Sequence, residues 1–226
     1  MFKQDKFKKI EVFLLSSKVI KFVEELGKIT SKNDLHNMYY GVQGKPLRDN
    51  LVHYLIEMQK IKPTHLFLGE AAGPNGACRT GIPFTDEITL VTSPHRIGKF
   101  LIFQENYNLP FANEFAVSEQ SSERVWNVFR NTGVLPLMWN AVPFYPHKKD
   151  NFYKIRTPRD GEEIRKYSSL INELLELFPA IKHFGAIGRK AQIGLVEALG
   201  FPPYIKHPSR SDTEFDTMTR NFLTEN

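Results

Sequence analysis

The sequence has few of the features that mark secreted or membrane proteins. It contains one cysteine, Cys78, which excludes an internal disulfide and fits a reducing compartment. The longest apolar run near the N-terminus, Val12 to Leu15, is far shorter than the ~20 residues that span a membrane. The first residues, M-F-K-Q-D-K-F-K-K, lack the apolar core and cleavage site of a signal peptide. We therefore expect a cytoplasmic protein with no membrane partner.

Metal ligands and surplus charge are also scarce. The seven histidines are scattered, with no pair at metal-ligand spacing, so we expect no metal and no other cofactor. The 30 Lys and Arg exceed the 25 Asp and Glu only slightly, which permits a polyanionic partner but more often means a solvated basic surface. With 226 residues, of which 41% are hydrophobic, the chain can bury the core of one domain.

Glycines are concentrated in one segment, residues 65–84, which reads H-L-F-L-G-E-A-A-G-P-N-G-A-C-R-T-G-I-P-F. The pattern predicts an apolar strand, then an acid, Glu70, then a loop whose bare backbone can approach a ligand. At the end of a buried strand, Glu70 would lie where open α/β folds bind ligands. For this motif alone, the alternative is a strand followed by a glycine-rich turn without a site.

Two further segments predict strands with a polar residue near the end. Residues 135–144 read L-P-L-M-W-N-A-V-P-F and carry Asn140, and residues 204–209 read Y-I-K-H-P-S and carry His207. Side chains alternate along a strand, so Trp139 and Ala141 face away from Asn140, and Trp139 is predicted to lie in the core. Taken alone, such an Asn or His is more often structural than functional.

Helical spacing predicts the remaining elements. We expect helices over 6–26, 45–60, 121–132, 161–178 and 189–199, a strand over 181–187, and helices around a loop within 92–122. Gly200, Pro202 and Pro203 would close one helix, and Ser211 with Glu214 would form a capping box that opens the last. Strands that alternate with helices predict an α/β protein whose parallel sheet is covered on both faces.

The motifs, taken in this order, resemble those of the uracil-DNA glycosylase superfamily. The matching residues are G-E-A-A-G (69–73), R-T-G-I-P-F-T (79–85), W-N-A-V-P-F (139–144) and K-H-P-S (206–209). The first motif is most similar to the branches that read G-E-x-P-G or G-L-A-P-A, and to the single-strand-selective branch. One cysteine cannot supply the thiolates of the iron–sulfur cluster found in the G-E-x-P-G branch, so the chain departs from it there.

The resemblance covers Leu66 to the C-terminus and implies both a fold and an activity. The fold is three-layer α/β/α with a central, mainly parallel, four-stranded sheet. We expect a single domain over 1–226, with a helical N-terminal layer over 1–62 and the α/β core over 63–226. The implied activity is that of a monofunctional DNA glycosylase that hydrolyses the N-glycosidic bond of uracil, or of another deaminated or 5-substituted base, in base excision repair. DNA is the implied partner, and we expect a monomer without an obligatory protein partner.

The resemblance also implies roles for individual residues. Phe84 would stack on a flipped base, and the Asn140 amide would pair with the O4 and N3–H of uracil. His207 would hydrogen-bond O2, which gains negative charge as the bond breaks. Glu70 would position the water and balance the positive charge on the sugar.

Two departures concern the glycine-rich segment. Ala71 stands where the branch reading G-Q-D-P-Y-H has its aspartate, so the role of Glu70 rests on the G-E branch, and Asp86 is an alternative acid. The backbone amides beside Ala71 could also orient water. Gly73 stands where the same branch has a tyrosine that excludes a methyl group on C5 of the base. We therefore expect a more permissive pocket at Gly73, unless a neighbouring side chain (Pro74, Asn75 or Phe144) fills the gap.

Candidate DNA contacts follow two of the predicted strands. Ser209 and Arg210 come directly after His207, and Arg210 stands where the G-Q-D-P-Y-H branch places an apolar wedge. The segment 147–159, which includes Lys148 and Lys149, has five Lys or Arg against one acid. A basic loop is usually only solvated, but this one follows the Asn140 strand and is expected to border the pocket and contact phosphates.

Two other functions stay open. A non-catalytic or weakly active superfamily member that binds damaged or single-stranded nucleic acid is suggested by the missing aspartate. A hydrolase of small nucleotides or nucleosides is suggested by the missing wedge.

Overall fold

The computed structural model describes residues 16–104, 107–111, 115–199, 204–208 and 212–224. Its strands are β1 (Leu35–His36), β2 (His65–Ala71), β3 (His95–Ile97), β4 (Phe100–Ile102), β5 (Leu137–Val142), β6 (Tyr145–Lys148), β7 (Asn151–Ile155), β8 (His183–Ile187) and β9 (Tyr204–Ile205). Its helices are α1 (16–28), α2 (Lys45–Ile61), α3 (Ala77–Thr80), α4 (Glu87–Val91), α5 (Gln120–Thr132), α6 (Arg165–Glu176), α7 (Arg189–Leu199) and α8 (Asp212–Thr224). A π-helical turn, Asp160–Ile164, leads directly into α6.

The main sheet has four strands in the order β5-β2-β8-β9, and every neighbouring pair is parallel. Its central strand β2 is buried from His65 to Gly69, because helices cover both faces, as is usual for parallel strands. The carboxyl ends of all four strands therefore meet at one edge. The predicted three-layer α/β/α architecture is confirmed.

The two faces of the sheet are packed by different helices. On one face, the Phe67 ring contacts Phe129 of α5 and Phe215 of α8, with ring centroids 5.4 and 6.3 Å apart. On the other face, α7 approaches β5 so closely that a Cβ on Gly194 would lie 2.7 Å from the Ala141 Cβ. Glycine at this helix position is what permits that distance.

Side chains from the N-terminal helices complete the core. Trp139 is 1% exposed and its ring contacts Phe22 of α1, with centroids 5.7 Å apart, which confirms its predicted place in the core. The Tyr54 hydroxyl of α2 accepts a hydrogen bond of 2.8 Å from the Met138 N–H, so a donor on edge strand β5 is satisfied. None of the helices among the described residues is both long and apolar enough to cross a membrane.

Two expectations about local structure are wrong. Instead of helices around a loop, the segment 92–122 contains a short hairpin of β3 and β4, turned by Gly98 at φ +53°, before α5 begins. The basic segment 147–159 is not simply a loop, because β6 and β7 pair within it and β1 joins them in an antiparallel sheet. The predicted helix start before residue 16, the closing residues 200–203 and Ser211 of the capping box lie outside the described residues.

Candidate active site

The candidate site lies at the carboxyl edge of the main sheet, where β2 and β5 end side by side. Gly69 is paired with Asn140 in the β2–β5 register. In neighbouring parallel strands, paired residues point to the same face, so the Asn140 side chain lies beside the bare backbone of Gly69. The strand pairing alone therefore brings two of the sequence motifs together.

Phe84 reaches the same point from the glycine-rich segment. A Cβ added to Gly69 would lie 2.8 Å from Phe84 Cε2 and 2.5 Å from Asn140 Oδ1, so the ring and the amide meet above Gly69. Phe84 has φ +54°, which is uncommon for a residue other than glycine, and its carbonyl accepts a 3.0 Å hydrogen bond from Trp126 Nε1. Positive φ of this kind often occurs at binding sites held by their surroundings.

The Asn140 side chain is only 3% exposed and its amide makes no hydrogen bond to another described residue, but the amide atoms are not fully buried and so remain accessible. Buried amides normally have partners, because an unpaired donor or acceptor loses its hydration without compensation. The amide can therefore offer both a donor and an acceptor to a ligand.

Glu70 points to the opposite face of β2. Its Oε1 accepts a 3.2 Å hydrogen bond from the backbone N–H of Lys190, in the first turn of α7. A Cβ on Gly188, which has φ +85°, would lie 2.8 Å from Glu70 Cδ. Gly188 thus provides both the turn into α7 and the space for the carboxylate, which interacts favourably with the helix N-terminus.

One pocket of about 460 Å³ contains Glu70, Ala71 and His207 together. Its other lining residues come from the end of β7 and the segment after it, from the turn into α7 and its first residues, and from β9: Ile155, Arg156, Thr157, Pro158, Gly188, Arg189, Lys190 and Tyr204. Two of the cations are paired, Arg156 with Glu163 at 2.5 Å and Lys190 with Asp160. The Arg189 guanidinium lies over the Tyr204 ring, 5.8 Å from its centroid.

The predicted site residues thus form two groups. Phe84 and Asn140 meet at Gly69, whereas Glu70, Ala71 and His207 line a pocket whose lining includes neither Phe84 nor Asn140. Gly69 and Glu70 are consecutive in β2, so the two groups are adjacent across the strand end.

Gly73 contacts a residue that the sequence motifs do not include. The carboxyl group of Glu119 lies where a side chain on Gly73 would be, with Glu119 Cδ 3.0 Å from an added Cβ, and the same holds for Gly76. Phe144 does not fill this space, since its ring packs on Tyr167 with centroids 5.0 Å apart. Glu119 is the residue directly before α5. No local signal in the sequence connects it to Gly73.

The environment of Glu119 changes its ionisation. Burial raises its pKa to about 7, a hydrogen bond with Ser121 opposes this shift, and the nearby Asp86 carboxylate adds to it. A carboxyl group that gains and loses its proton near neutral pH is a common feature of functional sites, although buried structural groups show it too.

Asp86 is engaged in holding the backbone. Its Oδ1 accepts hydrogen bonds from the N–H and the hydroxyl of Thr89, at 2.8 and 2.6 Å, and its Oδ2 accepts one from the Glu119 N–H at 2.6 Å. It is 2% exposed and forms the N-cap of α4. These contacts favour Glu70 over Asp86 as the acid that faces a ligand.

Of the four candidate DNA contacts, Lys148 and Lys149 lie among the described residues. Lys148 ends β6, and Lys149 lines a second depression of about 590 Å³ with Lys32, Asn33, Asp34, Arg159 and Glu162. The far end of the same segment, residues 155–158, borders the pocket of Glu70 and His207. Ser209 and Arg210 lie outside the described residues. In the described part of the chain, no group of three or more His, Cys, Asp or Glu side chains is arranged to hold a metal ion.

The fold matches a solved structure over nearly its whole length. The chain aligns with the crystal structure of wild-type SMUG2 from Pedobacter heparinus with a TM-score of 0.59 and 18% sequence identity, covering 93% of this chain and 94% of that one. Comparison of the sequence with protein-family models gives no match, and comparison with curated proteins gives none either. The structural similarity at this identity establishes a shared fold.

Proposed function

We propose that the protein is a monofunctional DNA glycosylase that hydrolyses the N-glycosidic bond of uracil, or of a related deaminated or 5-substituted base, in DNA. The observation that carries the proposal is the meeting of the Phe84 ring and the buried Asn140 amide above Gly69, directly beside Glu70. The fold shared with SMUG2 from Pedobacter heparinus is compatible with this site. The order of motifs in the sequence supports the same class.

Base recognition would use the group around Gly69. A base in a duplex must be flipped out of the stack before its glycosidic bond can be reached. The Phe84 ring offers a face for stacking, and the Asn140 amide offers a donor to uracil O4 and an acceptor for N3–H. Cytosine presents the opposite pattern at these positions, so the same amide orientation would reject it.

Bond cleavage would use the pocket lined by Glu70, Ala71 and His207 at the same strand end. As the bond breaks, positive charge develops on the sugar and negative charge on the base, and a water must attack the sugar. Of the two Glu70 carboxylate oxygens, Oε1 has a hydrogen-bond partner among the described residues and Oε2 has none. Oε2 would therefore be available to orient the water. His207 lines the same pocket and would stabilise the negative charge at O2 of the leaving base.

DNA is the proposed partner. Lys148, Lys149, Ser209 and Arg210 are the proposed phosphate contacts, and the slight excess of positive charge agrees with a polyanionic partner. We propose that the protein acts as a cytoplasmic monomer and that its chemistry requires no cofactor, since each step is assigned to a side chain.

One observation favours a second candidate function. Glu70 already has a structural task at the N-terminus of α7, and Ala71 offers no carboxylate beside it. A protein in which Glu70 serves only this task would bind damaged or single-stranded DNA without cleaving it.

Excision and binding assays on the same oligonucleotides separate these functions. The wild-type protein is incubated with single-stranded and duplex oligonucleotides that contain one uracil, and abasic products are scored as alkali-labile breaks, with the uracil-free sequence as control. Uracil-dependent breaks that persist in excess chelator are the expected result. Binding without breaks would favour the non-catalytic protein, and hydrolysis of deoxyuridine alone would indicate a nucleoside hydrolase.

A further inference from the structure

The hairpin of β6 and β7 presents aromatic and apolar side chains to solvent. All five residues of β7 are exposed, and among them Phe152 is 43%, Tyr153 87% and Ile155 49% exposed. Single exposed apolar residues are ordinary, but here Tyr153 and Ile155 share one side of β7, and the Tyr153 ring also contacts the Phe152 ring, with centroids 5.9 Å apart. The catalytic roles proposed above do not use this patch.

The patch lies beside the candidate active site. Ile155 lines the pocket that contains Glu70 and His207, and so do the next three residues of the chain. Side chains two residues apart in a strand point to the same side, about 7 Å apart. The Tyr153 side chain is therefore on the same side of β7 as Ile155, one step farther from the pocket.

The backbone under Tyr153 is held in place. The Phe152 ring packs against His36, Tyr145 and His147, with centroids 5.3, 5.4 and 4.9 Å apart. The Tyr145 hydroxyl donates a 2.7 Å hydrogen bond to the Phe152 carbonyl, and the Tyr153 N–H donates one of 3.0 Å to Asn151 Oδ1. Tyr153 thus presents an exposed ring on a fixed support, which lowers the entropy that stacking would cost.

The charges around the patch select its partner. Lys148, Lys149 and Lys154 are exposed on the hairpin, with Asp150 as the one acid between β6 and β7. Aromatic rings interleaved with lysines are typical of surfaces that bind single-stranded nucleic acid, where bases stack on the rings and the cations track the phosphates. A protein-binding patch of this size would be expected to have fewer charges at its centre.

We propose that Tyr153 stacks on an unpaired base of the DNA strand beside the pocket, while the hairpin lysines contact the neighbouring phosphates. This inference rests on the proposed function for its partner and adds to it a contact for bases outside the catalytic pocket. It assigns the hairpin to DNA held in single-stranded form.

Binding to a uracil-free single-stranded oligonucleotide, measured by fluorescence anisotropy, tests the inference without requiring catalysis. Tyr153→Ala is expected to weaken binding about 5- to 150-fold, the range for loss of one stacked base. Tyr153→Phe keeps the ring and is expected to bind like the wild type. Tyr40→Ala is the matched control, because Tyr40 is an exposed tyrosine (46%) outside the hairpin, and it is expected to change nothing.

Salt dependence separates stacking from charge. Replacing Lys148 and Lys149 by Gln should reduce the slope of log K against log salt by about 0.7 for each phosphate that is no longer neutralised, whereas Tyr153→Ala should leave the slope unchanged. The inference would be overturned by equal binding of Tyr153→Ala and the wild type, or by no binding of the wild type. DNA binding that depends on Tyr153, in a protein that releases no base, would support the inference while contradicting the proposed glycosylase activity.

Discussion

The carboxyl group of Glu119 fills the space that a side chain on Gly73 would take, with Glu119 Cδ 3.0 Å from the position of an added Cβ. Gly73 is not among the glycines with positive φ, so its backbone conformation is open to other residues. The cost of a side chain at this position would therefore come from displacing the Glu119 carboxyl and not from a left-handed turn. The edge of the site at Gly73 is closed by a polar group.

The first prediction is a coupling between these two residues. Gly73→Ala should destabilise the protein by about 1–3 kcal/mol, because the added methyl must displace the Glu119 carboxyl. In a Glu119→Ala background, the same substitution should cost much less. Denaturant unfolding of the wild type, both single variants and the double variant measures the coupling. Additive effects would show that Glu119 does not occupy this space.

The second prediction concerns the proton on Glu119. Its pKa is about 7 in the folded protein against 4.5 for the ordinary group, so the folded state holds one more proton between these values. Its contribution to stability is present below about pH 4.5 and is lost as the pH rises through 7. Glu119→Gln, which cannot ionise, should therefore gain stability relative to the wild type at pH 8, by about 1–3 kcal/mol, and little at pH 5. Thermal unfolding at both pH values measures this, with Glu176→Gln, an exposed glutamate of α6, as control.

The third prediction separates catalysis from folding at Glu70. Glu70→Gln keeps an oxygen that can accept the Lys190 N–H, so the fold and DNA binding should persist. Loss of the charge that orients the water should lower single-turnover excision by about 10²- to 10⁴-fold.

Asp86→Asn provides the comparison for Glu70. Asp86 accepts three hydrogen bonds as the cap of α4, so its substitution should lower stability with little effect on the excision step in the folded protein. If Asp86→Asn abolished excision and Glu70→Gln left it intact, the two roles would have to be exchanged.

The fourth prediction tests base reading by Asn140. Asn140→Asp replaces the amide donor by an acceptor, which would face the O4 acceptor of uracil. Uracil excision should fall sharply, by roughly 10⁴ for a fully mismatched hydrogen-bond pattern, and release of cytosine becomes chemically accessible. Excision is measured on two oligonucleotides that differ only in carrying uracil or cytosine at one position. Unaltered uracil release would place Asn140 outside the site.

The fifth prediction concerns acid stability and involves the opposite edge of the sheet. His65 is buried there and stacks on His183, with ring centroids 4.6 Å apart. Burial lowers its pKa to about 4, and His183 adds to the shift. The unfolded chain takes up this proton near pH 6.5 and the folded protein does not, so stability falls as the pH drops from 6.5 towards 4. His65→Phe should lose less stability than the wild type between pH 7 and pH 5 in denaturant unfolding; equal losses would contradict the assignment.

Two strands of the main sheet, β2 and β5, were predictable because they are buried along most of their length. Such strands read as continuous apolar runs. The apolar strand predicted at the start of residues 65–84 corresponds to β2, and the helix predicted over 189–199 corresponds to α7. The hairpin of β3 and β4 was missed because each strand has three residues, too few to show a period of two. The fully exposed strand β7 was missed because pairing with β6, and not an apolar pattern, defines it.

The sequence by itself determined where each motif lies along its own element. Glu70 and Asn140 each stand near the end of a strand, and His207 follows a third strand, because these are local properties of apolar runs and the residues that end them. The tertiary structure decided which of these ends meet. Gly69 pairs with Asn140, Glu70 caps α7, and Glu119 reaches Gly73 only because long-range packing brings distant segments to one edge of the sheet. Contacts of this kind leave no periodic signal in the chain, since each depends on a partner far away in the sequence.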